Sequence, residues 1–185
     1  MTLTRWQLDR VARTLSSGGV IAYPTESVFG LGCDPDNDQA LQRILKIKSR
    51  PAHKGLIILV SDMSQAIPYI KPLTPAQLTQ IQSPQSRATT WLVERRSDVS
   101  PLLCGRFDAL AVRVTQHPIA RAICHFTDKA LVSTSCNRAG KPEITSTAGV
   151  RNHMVTDLDL IVDGQCGGER PSRIIDLMTG RVIRD

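Results

Sequence analysis

VIAYPTESVFGLGCDPDNDQALQRILKIKSRPAHKG, residues 20–55, opens with an apolar run at 20–23 that is broken by Pro24. A run of that length and character predicts a strand buried on both faces, as in parallel or mixed sheets. Residues 25–32 read as a polar, glycine-bearing loop. Asp34-Pro35-Asp36-Asn37 then supplies a cap for a helix whose inward face is Ala40, Leu41, Ile44, Leu45 and Ile47. Arg43, Lys46 and Lys48 fall on the other side of that helix, and Lys48 and Arg50 are expected on a loop at its far end. No acidic residue stands between Asp38 and Asp62, where Arg43, Lys46, Lys48, Arg50 and Lys54 place five positive charges against a chain total of +6. Charge so localised points to a defined anionic ligand. The competing explanation is a solvated helix end that complements its own dipole.

On the amino-terminal side, Thr4 and Gln7 make a capping-box pattern, and Leu8, Val11, Ala12 and Leu15 form one helical stripe stopped by Gly18-Gly19. On the other side, strands are predicted at 56–60, 90–93, 109–114, 130–136, 158–162, 173–177 and 182–184. Helices are predicted from Ser61 or Asp62 toward Ile70, from Thr74-Pro75, from His117-Pro118 through Ile123, and over 147–154. Residues 83–88 read as a polar turn, 95–108 as a long loop, and 137–142 as a turn rich in Asn, Gly and Pro. Early α-β alternation followed by strand pairing predicts an α/β (mixed α+β) fold, with one twisted, mixed parallel and antiparallel sheet and flanking helices.

A chain of 185 residues with 41% hydrophobic and 22% charged residues is expected to form one domain, 1–185, able to bury a core without staples. Aromatic content of 4% argues against the stacking platforms of single-strand-binding proteins. Five scattered cysteines without a Cys-x-x-Cys pair predict reduced thiols, neither a disulfide framework nor a metal site. No run has the length of a signal peptide or a membrane span, so a cytoplasmic protein is expected.

There is no G-x-x-x-x-G-K-[ST] loop, and Gly30-x-Gly32 lacks the third glycine and helix start of a dinucleotide fingerprint. What remains are hydroxyl-rich loops placed directly after apolar strands: Thr25-Glu26-Ser27, and Ser133-Thr134-Ser135-Cys136-Asn137. Crevices outside strand ends are where open α/β sheets bind ligands, and hydroxyls with exposed backbone N–H groups there hold carboxylate or phosphate oxygens. Two such loops beside a Lys/Arg loop describe an anion crevice, although each Ser or Thr alone is also ordinary turn chemistry.

Taken together, 23–32 (YPTESVFGLG), Lys48-x-Arg50-Pro51, Lys54-Gly55-Leu56-Ile57, Ala111-Val112-Arg113-Val114 with His117-Pro118, Ser133-Thr134-Ser135 with Asn137, Gly167-Gly168 and Pro171-Ser172-x-Ile174-Ile175-Asp176 resemble the YrdC/TsaC family of threonylcarbamoyl-adenylate synthases, in its short single-domain form. The resemblance implies a twisted α/β sheet with a basic concave cleft. It implies a nucleotidyltransferase that makes threonylcarbamoyl-AMP and pyrophosphate from L-threonine, bicarbonate and ATP, with Mg²⁺ on the phosphates. The product would pass to partner proteins that modify tRNA to threonylcarbamoyladenosine beside the anticodon. By position, Lys48 and Arg50 would be catalytic and hold phosphate or carboxylate, Thr25, Ser133 and Ser172 would contact threonine or bicarbonate, and Thr90, Ser135, Asn137, Arg113 and Arg184 the nucleotide. All the reactants are anionic, so charge neutralisation and positioning can carry the reaction without a protein nucleophile. Glu26 is a candidate base, with capping or ion pairing as its competing role.

The chain departs from the family pattern where Arg87-Ala88-Thr89-Thr90 replaces a Pro-Gly-Pro-x-Thr run, and where Cys136 and Arg138-Ala139-Gly140 replace Ala and a Leu-Ser-Gly turn. Two other readings compete: an RNA-binding or ribosome-maturation factor using the basic cleft on tRNA or double-stranded RNA, and carbamoyl transfer of the hydrogenase-maturation kind.

Overall fold

A computed structural model describes residues 2–185. The helix α1 (Arg5–Ser16) starts with the predicted capping box: Gln7 N donates to Thr4 Oγ1 at 3.3 Å and Thr4 N donates to Gln7 Oε1 at 2.8 Å. It feeds a hairpin of β1 (Ile21–Pro24) and β2 (Phe29–Gly32). Half of the expected 25–32 loop is therefore strand. The reason is close approach: a Cβ on Gly32 would lie 2.7 Å from the Tyr23 ring and 2.7 Å from the Val132 carbonyl, so glycine lets β2 slot between its neighbours.

Asn37 caps α2 (Asp38–Lys48), accepting from Ala40 N at 2.9 Å. The strand β3 (Ile57–Val60), a 3-10 turn over Met63–Tyr69, α3 (Pro75–Gln82) and β4 (Thr89–Glu94) follow. The expected long loop at 95–108 contains a short helix, α4 (Pro101–Cys104), with Ser100 as cap and Pro101 at its first position. The remaining elements are β5 (Ala109–Val114), α5 (Pro118–Thr127), β6 (Leu131–Ser135), α6 (Thr147–Met154), β7 (Leu160–Ile161), β8 (Arg173–Asp176) and β9 (Val182–Arg184).

The strands form one mixed sheet in the order β7-β1-β2-β6-β3-β5-β4-β8-β9. Pairs β1/β7, β3/β5 and β4/β8 are parallel and the others antiparallel. One face, carrying Ala22, Leu31, Ile58, Val112, Val132 and Trp91, is packed against α2, α3, α6 and the Met63–Tyr69 turn. The other face carries Ile21, Tyr23, Leu59 and Leu131, and α1 and α5 cover only that end of it, through Val11, Leu15, Ile119 and Ile123. Side chains alternate between faces along a strand. Ile57 and Ser133 pair directly, two positions from the Leu59–Leu131 pair, and Leu59 sits opposite Arg113. The part of this face that α1 and α5 leave open therefore presents Ile57, Ser133 and Arg113.

Candidate active site

That opening is a cleft of about 180 Å³. Thr25 and Ser27 border it from the hairpin turn, Arg50 from the segment after α2, Ser133 and Ser135 from β6, Ser172 from the segment just before β8, and Arg184 from β9. Arg113 also lines it. Thr25 Oγ1 donates to Val28 O at 2.6 Å and accepts from Ser27 N at 3.4 Å, which closes the hairpin turn and fixes its edge against the cleft.

The two basic residues of the Lys-x-Arg step part company. Lys48 is the last residue of α2 and is buried, against the expectation of a loop position on the solvent side. Its ammonium donates to Ser135 O, to Asn137 O at 2.8 Å, and to Ser135 Oγ and Asn137 Oδ1 at 3.3 Å each. Lys48 thus ties the turn after β6 to the end of α2. Burial, and then the neighbouring Arg50 charge, pull its pKa from 10.5 down to about 8. Ser49 follows in a left-handed conformation, φ 50°, and the chain reverses so that Arg50 N donates to Leu45 O at 2.9 Å. Arg50 Nε and Nη2 donate to Gly55 O at 3.1 and 2.9 Å, laying the guanidinium along the cleft wall.

At the opposite wall, Ser172 joins two cleft residues, Arg113 and Arg184, to the buried Thr90. Its Oγ lies 2.9 Å from Thr90 Oγ1, accepts from Arg113 Nη2 at 2.8 Å and from Arg184 Nη2 at 3.2 Å, while its carbonyl accepts from Arg184 Nη2 at 2.8 Å. Thr90 is fully buried beneath this cluster and also accepts from Arg113 Nε at 3.0 Å. It supports the wall and does not line the cleft. Asn137 holds the β6 turn, with Oδ1 accepting from Ser135 Oγ at 2.7 Å and Nδ2 donating to Lys141 O at 2.7 Å.

Glu26 has the capping and pairing role. Its Oε1 accepts from Thr115 Oγ1 at 2.7 Å, Gln116 N at 2.9 Å and His117 N at 3.2 Å, at the entry to α5, and its Oε2 faces Arg113 Nη1 at 3.7 Å. Burial pushes the carboxyl up, and Arg113 with the Thr115 and backbone donors outweigh it, so its pKa lies below the ordinary 4.5. A carboxylate held that firmly is a poor proton acceptor near neutral pH.

Glu143 was missed from sequence. It lies in the cleft lining after the Lys141-Pro142 turn, and only the approach of that turn to Arg50 reveals it. The site is therefore three guanidinium groups and several hydroxyls around an open sheet face, with a buried ammonium behind one rim. Such a set can bind carboxylate and phosphate oxygens at several points and hold them close.

A family model for Sua5, YciO and YrdC proteins, described as "Telomere recombination", matches residues 13–185. A protein of Nitrosococcus oceani named threonylcarbamoyl-AMP synthase is 45% identical over 185 residues, covering 100% of both chains. One of the same name from Photobacterium profundum is 42% identical, covering 96% of this chain and 97% of its own. Among solved structures, P. abyssi Sua5 complexed with L-threonine superposes with a TM-score of 0.87 at 27% identity over 98% of this chain. The chain spans about half of that protein, 54% of its length. E. coli YciO, at 24% identity and a TM-score of 0.83, covers 98% of this chain and 90% of its own and shares the fold.

Proposed function

The chain belongs to the Sua5/YciO/YrdC family, and we propose that it is an L-threonylcarbamoyladenylate synthase, forming threonylcarbamoyl-AMP and pyrophosphate from L-threonine, bicarbonate and ATP. The observation that carries this reading is the convergence of Arg50, Arg113 and Arg184 with Thr25, Ser133 and Ser172 on one small cleft. The names of the full-length relatives and the threonine held by P. abyssi Sua5 support it.

In this reaction the threonine amine attacks the bicarbonate carbon, water leaves, and a carbamate forms. A carbamate oxygen then attacks the α-phosphorus of ATP as the bond to pyrophosphate breaks. The reactants repel one another in water, and a cleft that holds their oxygens on fixed guanidinium groups removes that barrier while placing nucleophile and phosphorus together. Ser133, Ser172 and the edge of the Thr25 turn would orient threonine and bicarbonate. Arg50 and Arg113 would take carboxylate and phosphate oxygens, with Arg184 on the far rim. Ser135 and Asn137, fixed by Lys48, would present the β6 turn to the nucleotide, and Thr90 would act by holding Arg113 and Ser172. Among the described residues no three His, Cys, Asp or Glu side chains are arranged to hold a metal ion. Mg²⁺ would arrive on the ATP phosphates as part of the substrate.

Among the described residues no helix is long and apolar enough to cross a membrane. A cytoplasmic site, with transfer of the labile adenylate to tRNA-modifying partner proteins, completes the proposal. The test is incorporation of isotopically labelled bicarbonate into a nucleotide product. Label should appear in threonylcarbamoyl-AMP only when threonine and ATP are both present. Label-free nucleotide under all conditions would overturn the assignment.

A further inference from the structure

The cleft lining contains one acidic side chain, Glu143, against the guanidinium groups of Arg50, Arg113 and Arg184. Its backbone is pinned on both sides. Asn137 Nδ2 donates to Lys141 O at 2.7 Å, the ring of Pro142 sets its own φ, and the carbonyl of buried Ile144 accepts from Phe29 N of β2 at 2.8 Å. The residue so held is exposed and borders the cleft. Other carboxylates around the site are engaged: Glu26 with Arg113, Thr115 and the entry to α5, and Asp157 with Arg138. Glu143 has neither an ion pair nor a side-chain hydrogen bond among the described residues. Its charge nevertheless reaches Lys48: burial and then the Arg50 charge pull the Lys48 pKa down, and the Glu143 carboxylate opposes them.

Bicarbonate, the phosphates of ATP and the carboxylate of threonine are all anionic, so the guanidinium groups suit every charged group of the reactants but one. The exception is the threonine ammonium, and an unpaired carboxylate in an otherwise basic cleft is its complement. That ammonium must also lose a proton, because a nitrogen without a lone pair cannot attack carbon. We propose that Glu143 receives the threonine ammonium and takes its proton as the nitrogen attacks bicarbonate, an inference that rests on the synthase reading. The nitrogen lone pair forms the C–N bond to the bicarbonate carbon. A further N–H proton of the adduct moves to the hydroxyl, the C–O bond to that hydroxyl breaks, and water leaves with the carbamate behind. The proton on Glu143 passes to solvent, to which the residue is exposed. The charged groups that face the site are Lys48 at the end of α2, Arg50 after it, Arg113 from β5, Arg184 from β9 and Lys141 of the same turn. All are basic, and they lower the hold of the nitrogen on its proton.

The experiment compares the full chain with its Glu143→Gln variant in two ways. The first is the rate of threonylcarbamoyl-AMP formation as a function of pH, read as the ratio of the two proteins so that any titration they share cancels. The variant should be slower by about 100-fold or more near neutral pH, on the scale of a lost general base. The deficit should shrink as pH rises and threonine arrives already deprotonated. The second is calorimetric titration, without ATP, with L-threonine and with 3-hydroxybutyrate, which lacks the amine. Wild-type protein should prefer L-threonine by at least about tenfold, the scale of one charged hydrogen-bonding partner, and Glu143→Gln should lose most of that preference while its thermal unfolding is unchanged. A rate ratio near one, a deficit that stays constant across pH, or a preference for L-threonine unchanged in the variant would each overturn the proposal. Wild-type protein that forms no threonylcarbamoyl-AMP would remove the synthase reading and this proton transfer with it. Wild-type turnover with an indifferent Glu143→Gln would remove this inference alone.

Discussion

A buried ammonium needs more than one oxygen, and Lys48 has four around it. Lys48→Ala leaves the carbonyls of Ser135 and Asn137 without their donor. It should therefore cost about 1–3 kcal/mol of stability as well as activity, read by denaturant unfolding and by pyrophosphate release. Arg50→Ala removes a cleft-lining charge whose hydrogen bonds run to the partly buried Gly55 carbonyl and the exposed Lys54 carbonyl, so activity should fall about 100-fold or more, on the scale of one lost anion-stabilising donor, with unfolding changed by about 0.5–1 kcal/mol. Equal stability losses in the two variants would contradict this division of labour. From sequence the residues look alike, because burial of Lys48 comes from contacts with residues 87 and 89 positions away. The same burial sets a pH dependence. A lysine whose pKa is lowered to about 8 loses its proton above that pH, so the turn it holds loses its cation and activity should decline through about 8. An alkaline limb near the ordinary 10.5 would mean that the ammonium is not needed or is not desolvated.

At the level of elements, the Lys48–Arg50 step depends on the left-handed Ser49 that ends α2. Glycine adopts that conformation without the Cβ penalty, so Ser49→Gly should raise stability by up to about 1 kcal/mol with activity retained. A loss of stability would show that the Ser49 side chain contributes something the backbone does not. The hairpin gives the opposite case. Gly32→Ala puts a Cβ 2.7 Å from the Val132 carbonyl, backbone that cannot swing aside, and should destabilise by about 1–3 kcal/mol. Helices with explicit caps, α1, α2 and α3, and the apolar strands β3 and β5 were readable because their signals are local. The strand β2 was not, because Gly30 and Gly32 contribute nothing to an apolar alternation and their purpose is a contact with Tyr23 and β6. The helix α4 escaped notice because four residues are too few for a periodic pattern.

In the molecule as a whole, the charge cluster of residues 43–54 disperses. Arg43 pairs with Asp159 at 2.9 Å, Lys48 is buried, and only Arg50 reaches the cleft. The anion site is assembled instead from Arg50, Arg113 and Arg184, which meet because β6 inserts between β2 and β3 and because β8 and β9 close the far edge of the sheet. Strand order of that kind has no local signal, so periodicity and charge could name a crevice and its hydroxyl loops but not its walls. The resemblance in motifs supplied Arg113, Ser172 and Arg184, and the fold explains why they belong together. The central claim, that this cleft joins threonine, bicarbonate and ATP, is tested most directly by pyrophosphate release from Mg-ATP and bicarbonate with L-threonine, L-serine, L-valine or no amino acid. The account predicts release that depends on L-threonine, is weaker with L-serine and is absent with L-valine. Release independent of the amino acid, or none at all from folded protein, would contradict it.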